Sequence, residues 1–277
     1  MLLYRTTQGP LLHAEGQWRL VDRAWDDLVN DDALPQAMAS GVATLPPDPA
    51  LAGAAARPLP PIGGRQELWA AGVTYFRSRT ARMEESKTAG GGDFYDRVYH
   101  ADRPELFLKA TPHRIVGPGD ALHARSDSRW IVPEPELVLV VTRTGRIIGY
   151  TIGNDLSCRD IEGENPLYLP QAKTFDRCAA LGPAIFVSDA PPPPETGVHL
   201  AVRRGGQTVA QGATSLAMMK RNLGELVGYL FRDNAHPQGC LLMTGTGVVP
   251  PDDFSLRRGD IIDISIDGIG TLHNTVE

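Results

Sequence analysis

Two glutamates separated by a single residue are the first feature of the sequence that suggests chemistry. Glu134 and Glu136 lie in the stretch WIVPEPELVLV, where Pro133 and Pro135 favour an extended backbone. Side chains two residues apart on an extended strand point to the same face. The two carboxylates are therefore expected to be neighbours.

A predicted β-hairpin adds a third carboxylate, Asp155. The first strand runs to Thr144-Gly145, which fits a two-residue turn, and the chain returns as RIIGYTIGND. With this turn as the loop, Glu134 lies opposite Asp155. Opposed residues share a face with Cβ atoms about 5 Å apart, so three acids converge at the open end of the hairpin.

Such a cluster needs positive charge, because carboxylates at these distances repel one another by roughly 1–4 kcal/mol per pair. Three oxygen ligands without histidine or cysteine favour a hard cation, magnesium (Mg²⁺) or manganese (Mn²⁺), whose other positions are filled by water and substrate. The alternative is a solvated, charged strand end at which proline protects a sheet edge. The hairpin argument alone leaves both interpretations open.

Composition narrows the class of protein. The net charge is -6 and the lysines and arginines are scattered, so a nucleic-acid partner is not expected. The longest apolar stretches are far shorter than a membrane span and the N-terminus lacks the apolar core of a signal peptide, which predicts a cytoplasmic protein without membrane contact. Cys158, Cys178 and Cys240 are widely spaced and are expected to be core residues in a reducing compartment.

The elements that position the carboxylates are mainly strands. Residues 45–64 are rich in Pro, Ala and Gly, which predicts a boundary between a small N-terminal domain (1–60) and a catalytic domain (61–277). Short β-branched segments make the larger domain mainly β. Asn222 is expected to cap one clear helix. The charged, glycine-ended segment 77–92 is expected to form a short helix and a lid.

Longer motifs resemble a known family. The stretches WIVPEPELVLVV, GYTIGNDLSCRDIEGENPLYLPQAKTF, LGPAI, LMTGTGVVP and DISIDGIGTLHNTV are similar to the fumarylacetoacetate hydrolase family over residues 66–277. YDRVYHADRPELFLKATPHRIVG and RSDS resemble the family's 2-keto-3-deoxy-D-arabinonate (2-keto-3-deoxypentonate) dehydratase branch. The resemblance implies an α+β, mainly β fold, a mixed β-sandwich roll, assembled as a homodimer or homotetramer.

The resemblance also implies roles for particular residues. The family's metal ligands, a Glu-x-Glu pair and a following Asp, fall on Glu134, Glu136 and Asp155, in agreement with the hairpin. Lys173, in the QxK segment, and Glu105, in RPELFLKA, become catalytic candidates. Without the resemblance either would be read as an ordinary surface charge.

A threonine in the family's TGTG motif, here Thr246, would hold the carboxylate of the substrate together with neighbouring backbone amides. Read alone, TGTG is only a turn bracketed by glycines. Arg79, near the lid, and Lys109, in RPELFLKA, could add positive charge for the same carboxylate. The implied partner is a small 2-oxo acid.

One departure from the family bears on the reaction. Hydrolytic members carry a water-activating histidine shortly after a GxNY-like strand end, and here GVTYFRSR places Ser78 in that position. Elimination does not need this histidine. Lys173 could remove the C3 proton of a metal-chelated 2-oxo acid, and Glu105, acting through water, could assist departure of the C4 hydroxyl. The expected reaction is dehydration of a 2-keto-3-deoxypentonate to 2-oxoglutarate semialdehyde through a metal-stabilised enolate.

Other functions remain open at the level of sequence. Carbon-carbon bond hydrolysis of acylpyruvates or diketo-deoxy sugar acids is the main alternative, and oxaloacetate decarboxylation would use the same enolate. A metal- or ligand-binding protein without catalytic activity is the least expected, because the three acids, Lys173 and Glu105 are all present.

Overall fold

The fold is α+β and mainly β, as expected, in a computed structural model that describes residues 1–41, 44–85 and 92–277. Its strands are β1 (Leu2–Thr6), β2 (Gly9–Ala14), β3 (Gln17–Leu20), β4 (Glu67–Gly72), β5 (Glu105–Ala110), β6 (Ile115–Val116), β7 (Ala121–Leu122), β8 (Ile131–Val132), β9 (Pro135–Val141), β10 (Ile147–Asp155), β11 (Ser157–Cys158), β12 (Ala179–Val187), β13 (Gly197–Arg204), β14 (Gln207–Ser215), β15 (Cys240–Met243), β16 (Ile261–Ile266) and β17 (Gly270–Val276).

The α-helices are short and lie between the strands. They are α1 (Trp25–Leu28), α2 (Leu34–Gly41), α3 (Ala52–Ala55), α4 (Phe76–Glu85), α5 (Gly92–His100), α6 (Arg159–Glu164), α7 (Leu169–Lys173) and α8 (Leu223–Leu230). Single 3-10 turns occupy Pro49–Leu51, Pro112–Arg114, Pro166–Tyr168 and Leu216–Met218. In the parts of the chain that the structure describes, no helix is long and apolar enough to cross a membrane.

Two mixed sheets form the body of the protein. The larger has the order β3-β2-β1-β12-β10-β9-β15-β4-β5, with β6 added parallel to β12, and the smaller has the order β14-β13-β16-β17-β7. One face of the β9–β10 hairpin contacts strands of the smaller sheet, and α2 packs on β10 and β12. All seven residues of β9 are buried, which explains its unbroken apolar run after Glu136.

The N-terminal strands continue the larger sheet. Leu2 and Leu3 of β1 pair with Phe186 and Ile185 of β12. Leu3, like other apolar side chains of the first 40 residues, belongs to the same core as Leu139 of β9. The division into residues 1–60 and 61–277 stays a prediction. A test of it has to remove these contacts and measure whether residues 61–277 still fold.

The turn of the β9–β10 hairpin differs from the predicted two-residue loop at Thr144-Gly145. The Thr142 N–H donates to Arg146 O (2.9 Å) and the Gly145 N–H donates to Thr142 O (3.0 Å), so three residues, 143–145, form the loop. Gly145 has φ +83, in the left-handed region that favours glycine. The predicted loop was therefore wrong by one residue.

The longer loop shifts the pairing of β9 with β10 by one residue, and a β-bulge between Ile147 and Gly149 reverses this shift. Beyond it, Gly149 faces Val140, in the register that the shorter loop predicted. The Asp155 N–H donates to Glu134 O (3.0 Å), which confirms that these two residues lie opposite each other.

Two shorter predictions concern helices. The helix after Asn222 is confirmed as α8, and the Asn222 side chain accepts hydrogen bonds from the N–H groups of Gly224 and Glu225. In the segment 77–92, the expected short helix is present as α4, and it contacts α5, which begins at the last residue of the segment. Residues 86–91 of that segment lie outside the described residues.

Candidate metal centre

Three buried carboxylates meet at the open end of the β9–β10 hairpin. Oxygen atoms of Glu134, Glu136 and Asp155 lie within 4.8 Å of one another. The backbone of Glu134 is fixed by β10, because its N–H donates to Asn154 Oδ1 (3.1 Å) and its carbonyl accepts from Asp155 N. The predicted convergence of the three acids is confirmed, and together they offer a set of ligands for a hard cation.

Burial makes a negative charge on Glu136 expensive. The pKa of Glu136 is raised well above its ordinary value of 4.5, first by burial and then by the nearby charges of Asp155 and Glu134. The Gly245 N–H donates to Glu136 Oε2 (2.6 Å) and Lys173 acts in the same direction, lowering the pKa. Positive charge placed among the three acids would relieve this cost.

Lys173 lies directly against two of the three acids. It ends α7 and is buried, and its Nζ donates to Glu134 Oε2 (2.6 Å), Asp155 Oδ2 (2.9 Å) and Ser157 Oγ (2.6 Å). Lys173 therefore lies beside the three acids, as predicted, and its catalytic role stays a prediction. Lys173 also lines the cavity described below.

Two further charged residues of this cluster were missed by the sequence analysis. Arg159 Nη2 donates to Glu134 Oε1 (2.6 Å), and Glu162 Oε1 lies 3.4 Å from Lys173 Nζ. Both belong to α6, whose i,i+3 spacing puts them on one face. The available signal was their position within the long motif that follows Asp155, but an isolated Arg or Glu is read as a surface residue by default.

Lys109 is a fully buried residue that contacts one of the three carboxylates. Its side chain is 0% exposed, and its Nζ contacts Asp155 Oδ1 (2.7 Å), the carbonyl of Leu156 (2.9 Å) and the carbonyl of Lys173. These three acceptors match the three protons of an ammonium group. Lys109 does not line the cavity, so this geometry favours a role in holding Asp155 and Lys173 over the predicted contact with a substrate.

A cavity opens beside the three acids. It is also lined by Ala71, Gly72, Val73, Ser78, Glu105, Phe107, Leu169, Lys173, Gly245 and Thr246. The candidates Glu105, Lys173 and Thr246 therefore border one space together with the carboxylates. None of the described residues that line it is a histidine.

Glu105 reaches the cavity across the edge of the larger sheet. It lies on β5 opposite Gly72 of β4, and a Cβ atom on residue 72 would overlap the carboxylate of Glu105. Glycine at this position leaves the space that the carboxylate occupies. The sequence did not indicate this pairing.

Thr246 and Ser78 are both engaged in local hydrogen bonds. Thr246 Oγ1 accepts from Val248 N (3.1 Å), which orders the turn after β15. Ser78 Oγ donates to the carbonyl of Tyr75 (2.8 Å) and accepts from its N–H (3.3 Å), as a side chain in the first turn of a helix often does. Ser78 thus supports the start of α4.

Arg79 is not among the described residues that line the cavity. Its Nε donates to Asp96 Oδ1 (2.7 Å), and its guanidinium lies 5.4 Å from the ring centroids of both Phe76 and Tyr99. It thereby connects α4 with α5. Its predicted contact with a substrate carboxylate stays a prediction.

Backbone strain occurs where β4 leads into α4. Val73, a buried β-branched residue that lines the cavity, has φ +55, a conformation that such residues rarely adopt. Strain of this kind persists only where the surroundings enforce it, and it is concentrated at functional sites. No sequence pattern predicted it.

Comparison with known proteins relates this arrangement to a family. A probable 2-keto-3-deoxyxylonate dehydratase of Haloferax volcanii is 46% identical over 258 residues, which cover 92% of this chain and 82% of the relative. A 2-dehydro-3-deoxy-D-arabinonate dehydratase of Saccharolobus solfataricus is 45% identical over 213 residues, 76% of this chain and 72% of the relative.

Solved structures agree with the sequence relatives. A 2-keto-3-deoxyarabinonate dehydratase superposes with a TM-score of 0.85 at 35% identity, covering 100% of this chain and 99% of the other. A 2-keto-3-deoxy-D-arabinonate dehydratase complexed with magnesium and 2,5-dioxopentanoate superposes with a TM-score of 0.81, with the same identity and coverage. The model of the Fumarylacetoacetate (FAA) hydrolase C-terminal family matches residues 76–277. The chain therefore belongs to the fumarylacetoacetate hydrolase family.

Proposed function

We propose that this protein is a magnesium-dependent dehydratase that converts a 2-keto-3-deoxypentonate to 2-oxoglutarate semialdehyde, which is also called 2,5-dioxopentanoate. The observation that carries the proposal is that Lys173 and Glu105 border one cavity with three buried carboxylates. The names of the two relatives, and the compound present in the solved complex, support the same substrate class and product.

The acidic cluster fits a divalent ion. Its donors are buried carboxylate oxygens. The pKa of Glu136 is raised first by burial and then by the charges of Asp155 and Glu134, and a nearby cation would offset both effects. We assign Glu134, Glu136 and Asp155 as the ligands of Mg²⁺, or of Mn²⁺, which accepts the same donors. When bound there, the ion supplies Lewis acidity that polarises the 2-oxo group and makes the C3 protons more acidic.

Lys173 is proposed as the base that takes a proton from C3. Its Nζ donates to Ser157 Oγ, and Lys173 lines the cavity next to the carboxylates that would bind the ion. Glu105 borders the same cavity from β5, where it can deliver a proton through a water molecule to the departing C4 hydroxyl.

The proposed reaction is balanced without a redox cofactor. A proton leaves C3 and hydroxide leaves C4, so the net loss is one water. The remaining enone carries a hydroxyl on C5, and proton shifts convert that end to an aldehyde. Thr246 and the amides of its turn are proposed to hold the C1 carboxylate, because a nest of N–H groups is a suitable anion site.

Carbon-carbon bond hydrolysis is the main competing function. It needs a base that activates water for attack on a second carbonyl, and the residue at the family's histidine position is Ser78. The hydroxyl of Ser78 is occupied by the backbone of Tyr75. Loss of such a base lowers a reaction by about 100-fold or more.

The test compares kcat/KM for semialdehyde formation from both C4 epimers of 2-keto-3-deoxypentonate with kcat/KM for acylpyruvate cleavage and oxaloacetate decarboxylation, at saturating magnesium. We expect dehydration of one epimer to be the fastest by at least about 100-fold. A hydrolytic or decarboxylating value equal to the best dehydration value would reject the proposal, and no turnover at all would favour a binding protein.

Two further proposals concern the location and the assembly of the protein. We propose a cytoplasmic location, on the short apolar stretches of the sequence, and assembly as a homodimer or homotetramer, as the family resemblance implies. Light scattering coupled to size exclusion would measure the mass of the assembly. A monomer at assay concentration would contradict the proposed assembly.

A further inference from the structure

Glu162 is a buried carboxylate outside the cavity. Its side chain belongs to a residue that is only 2% exposed, on α6. Glu162 Oε1 lies 3.4 Å from Lys173 Nζ, and Glu162 Oε2 lies 3.7 Å from Arg159 Nη1. It therefore lies next to both cations that contact Glu134, and it is not among the described residues that line the cavity.

Those two cations compete with a metal ion for the same oxygens. Lys173 Nζ contacts one oxygen each of Glu134 and Asp155, and Arg159 contacts the other oxygen of Glu134. An incoming ion needs these oxygens as ligands. Lys173 and Arg159 must then rely on other acceptors, since an uncompensated buried cation is strongly unfavourable.

We infer that Glu162 is a positioning residue that holds Lys173 and Arg159 away from the metal carboxylates, so that a divalent ion can bind while the lysine stays beside the substrate. This inference rests on the proposed function. Glu162 contacts neither the ion nor the substrate in this arrangement, and it acts through the two cations. Ser157 is the second acceptor that remains available to Lys173.

The test measures magnesium affinity by isothermal titration calorimetry on metal-free protein, together with kcat and KM. Glu162→Gln keeps the shape of the side chain and removes its charge. We expect the Kd for magnesium to rise about tenfold, equal to about 1.4 kcal/mol. We also expect kcat to fall about tenfold, with KM for the 2-oxo acid changed by less than about threefold.

Two further variants separate positioning from folding. Glu162→Asp keeps the charge and should retain magnesium affinity within about threefold of the wild type. Glu164→Gln removes a carboxylate from an exposed position on the same helix and should bind magnesium as the wild type does. Thermal melts of the metal-free proteins report on folding independently.

The outcomes distinguish the two proposals. A wild-type protein that binds no magnesium would reject the proposed function itself. A wild-type protein that binds magnesium, with an equal Kd in Glu162→Gln, would overturn the role of Glu162 alone. An equal loss of affinity in Glu164→Gln would also overturn it, because the effect would then be one of overall charge.

Discussion

Glu136 differs from the other two site carboxylates in its contacts. Glu134 and Asp155 each lie against a buried cation, whereas the Glu136 oxygen Oε2 accepts from a backbone N–H. Its raised pKa means that the folded protein holds this proton at pH values where the unfolded chain has released it. The free energy of unfolding of the metal-free protein therefore falls as pH rises above 4.5 because of this group.

Glu136→Gln should remove the free-energy cost of this buried charge, and it also removes a proposed metal ligand. We expect no magnesium binding, and a metal-free variant more stable than the wild type at pH 7 by about 1 kcal/mol or more, roughly 2–4 °C in Tm. The gain should shrink as the pH falls through 4.5, and it should vanish well below 4.5, where the wild-type group is protonated in both states. Melts with chelator across this pH range would measure it, and a gain independent of pH would contradict the assigned cause.

Lys173→Met should separate catalysis from metal binding. We expect kcat to fall at least about 100-fold, the usual contribution of a positioned base. Magnesium affinity should stay equal or increase, because the ammonium that competes for Glu134 and Asp155 is removed. Calorimetry and turnover on the same preparation would decide. Lost affinity without a separate catalytic defect would make the lysine structural.

At the residue scale, the sequence predicted the groups whose spacing or motif marks them. The three acids could be placed from the alternation of a strand, and Lys173, Glu105 and Thr246 from long motifs. Arg159 and Glu162 could not, because burial of a charge depends on partners supplied by other elements. Lys109 shows the converse. Its motif placed it near the site, but the sequence did not predict that its side chain contacts Asp155 and does not line the cavity.

At the element scale, the β9–β10 hairpin was paired correctly even though its loop was predicted with the wrong length. The loop has one residue more than expected, and the bulge after Ile147 takes up the difference before the site is reached. Side chains alternate in direction along a strand, so an uncorrected slip would have turned Glu134 and Glu136 away from Asp155. Neither local feature was visible in the sequence, since bulges depend on the packing of both strands.

The edge pair β4–β5 carries a prediction of its own. Gly72→Ala should displace the carboxylate of Glu105, because the new methyl group overlaps it. That carboxylate is the flexible end of its side chain, so Tm should change by only a few degrees. We expect kcat to fall at least about tenfold with magnesium affinity unchanged, since the substitution does not touch the three carboxylates proposed to bind the ion.

The matched control for this variant is Gly64→Ala, where an added Cβ atom has open space around it. Its kcat and Tm should equal those of the wild type. Unchanged turnover in Gly72→Ala would mean that the position of Glu105 does not matter for the reaction, and another acid would have to be sought.

At the scale of the whole molecule, residues 45–64 were predicted from composition as a connection, and the structure adds contacts between this stretch and β1. Their Pro, Ala and Gly content predicted a connection between two domains. The described residues at the end of this stretch lie along β1: Leu59 N donates to Arg5 O (2.7 Å), and Arg5 Nη1 donates to Pro60 O (3.2 Å). Composition records local flexibility and contains no information on pairing between distant parts of the chain.

The last prediction concerns the separation of residues 1–60 from the catalytic part. Their removal would uncover the edge of β12, to which β1 is paired, and the sheet surface that α2 covers. An unpaired strand edge promotes aggregation, and loss of the buried side chains of this part, such as Leu3 and Leu28, leaves apolar surface in water. We therefore expect residues 61–277 produced alone to be insoluble or to melt at least about 10 °C below the full chain. Circular dichroism melts and calorimetric magnesium titrations of both proteins would measure this. A truncated protein with the Tm and magnesium affinity of the full chain would instead establish residues 1–60 as a separate domain, as the sequence predicted.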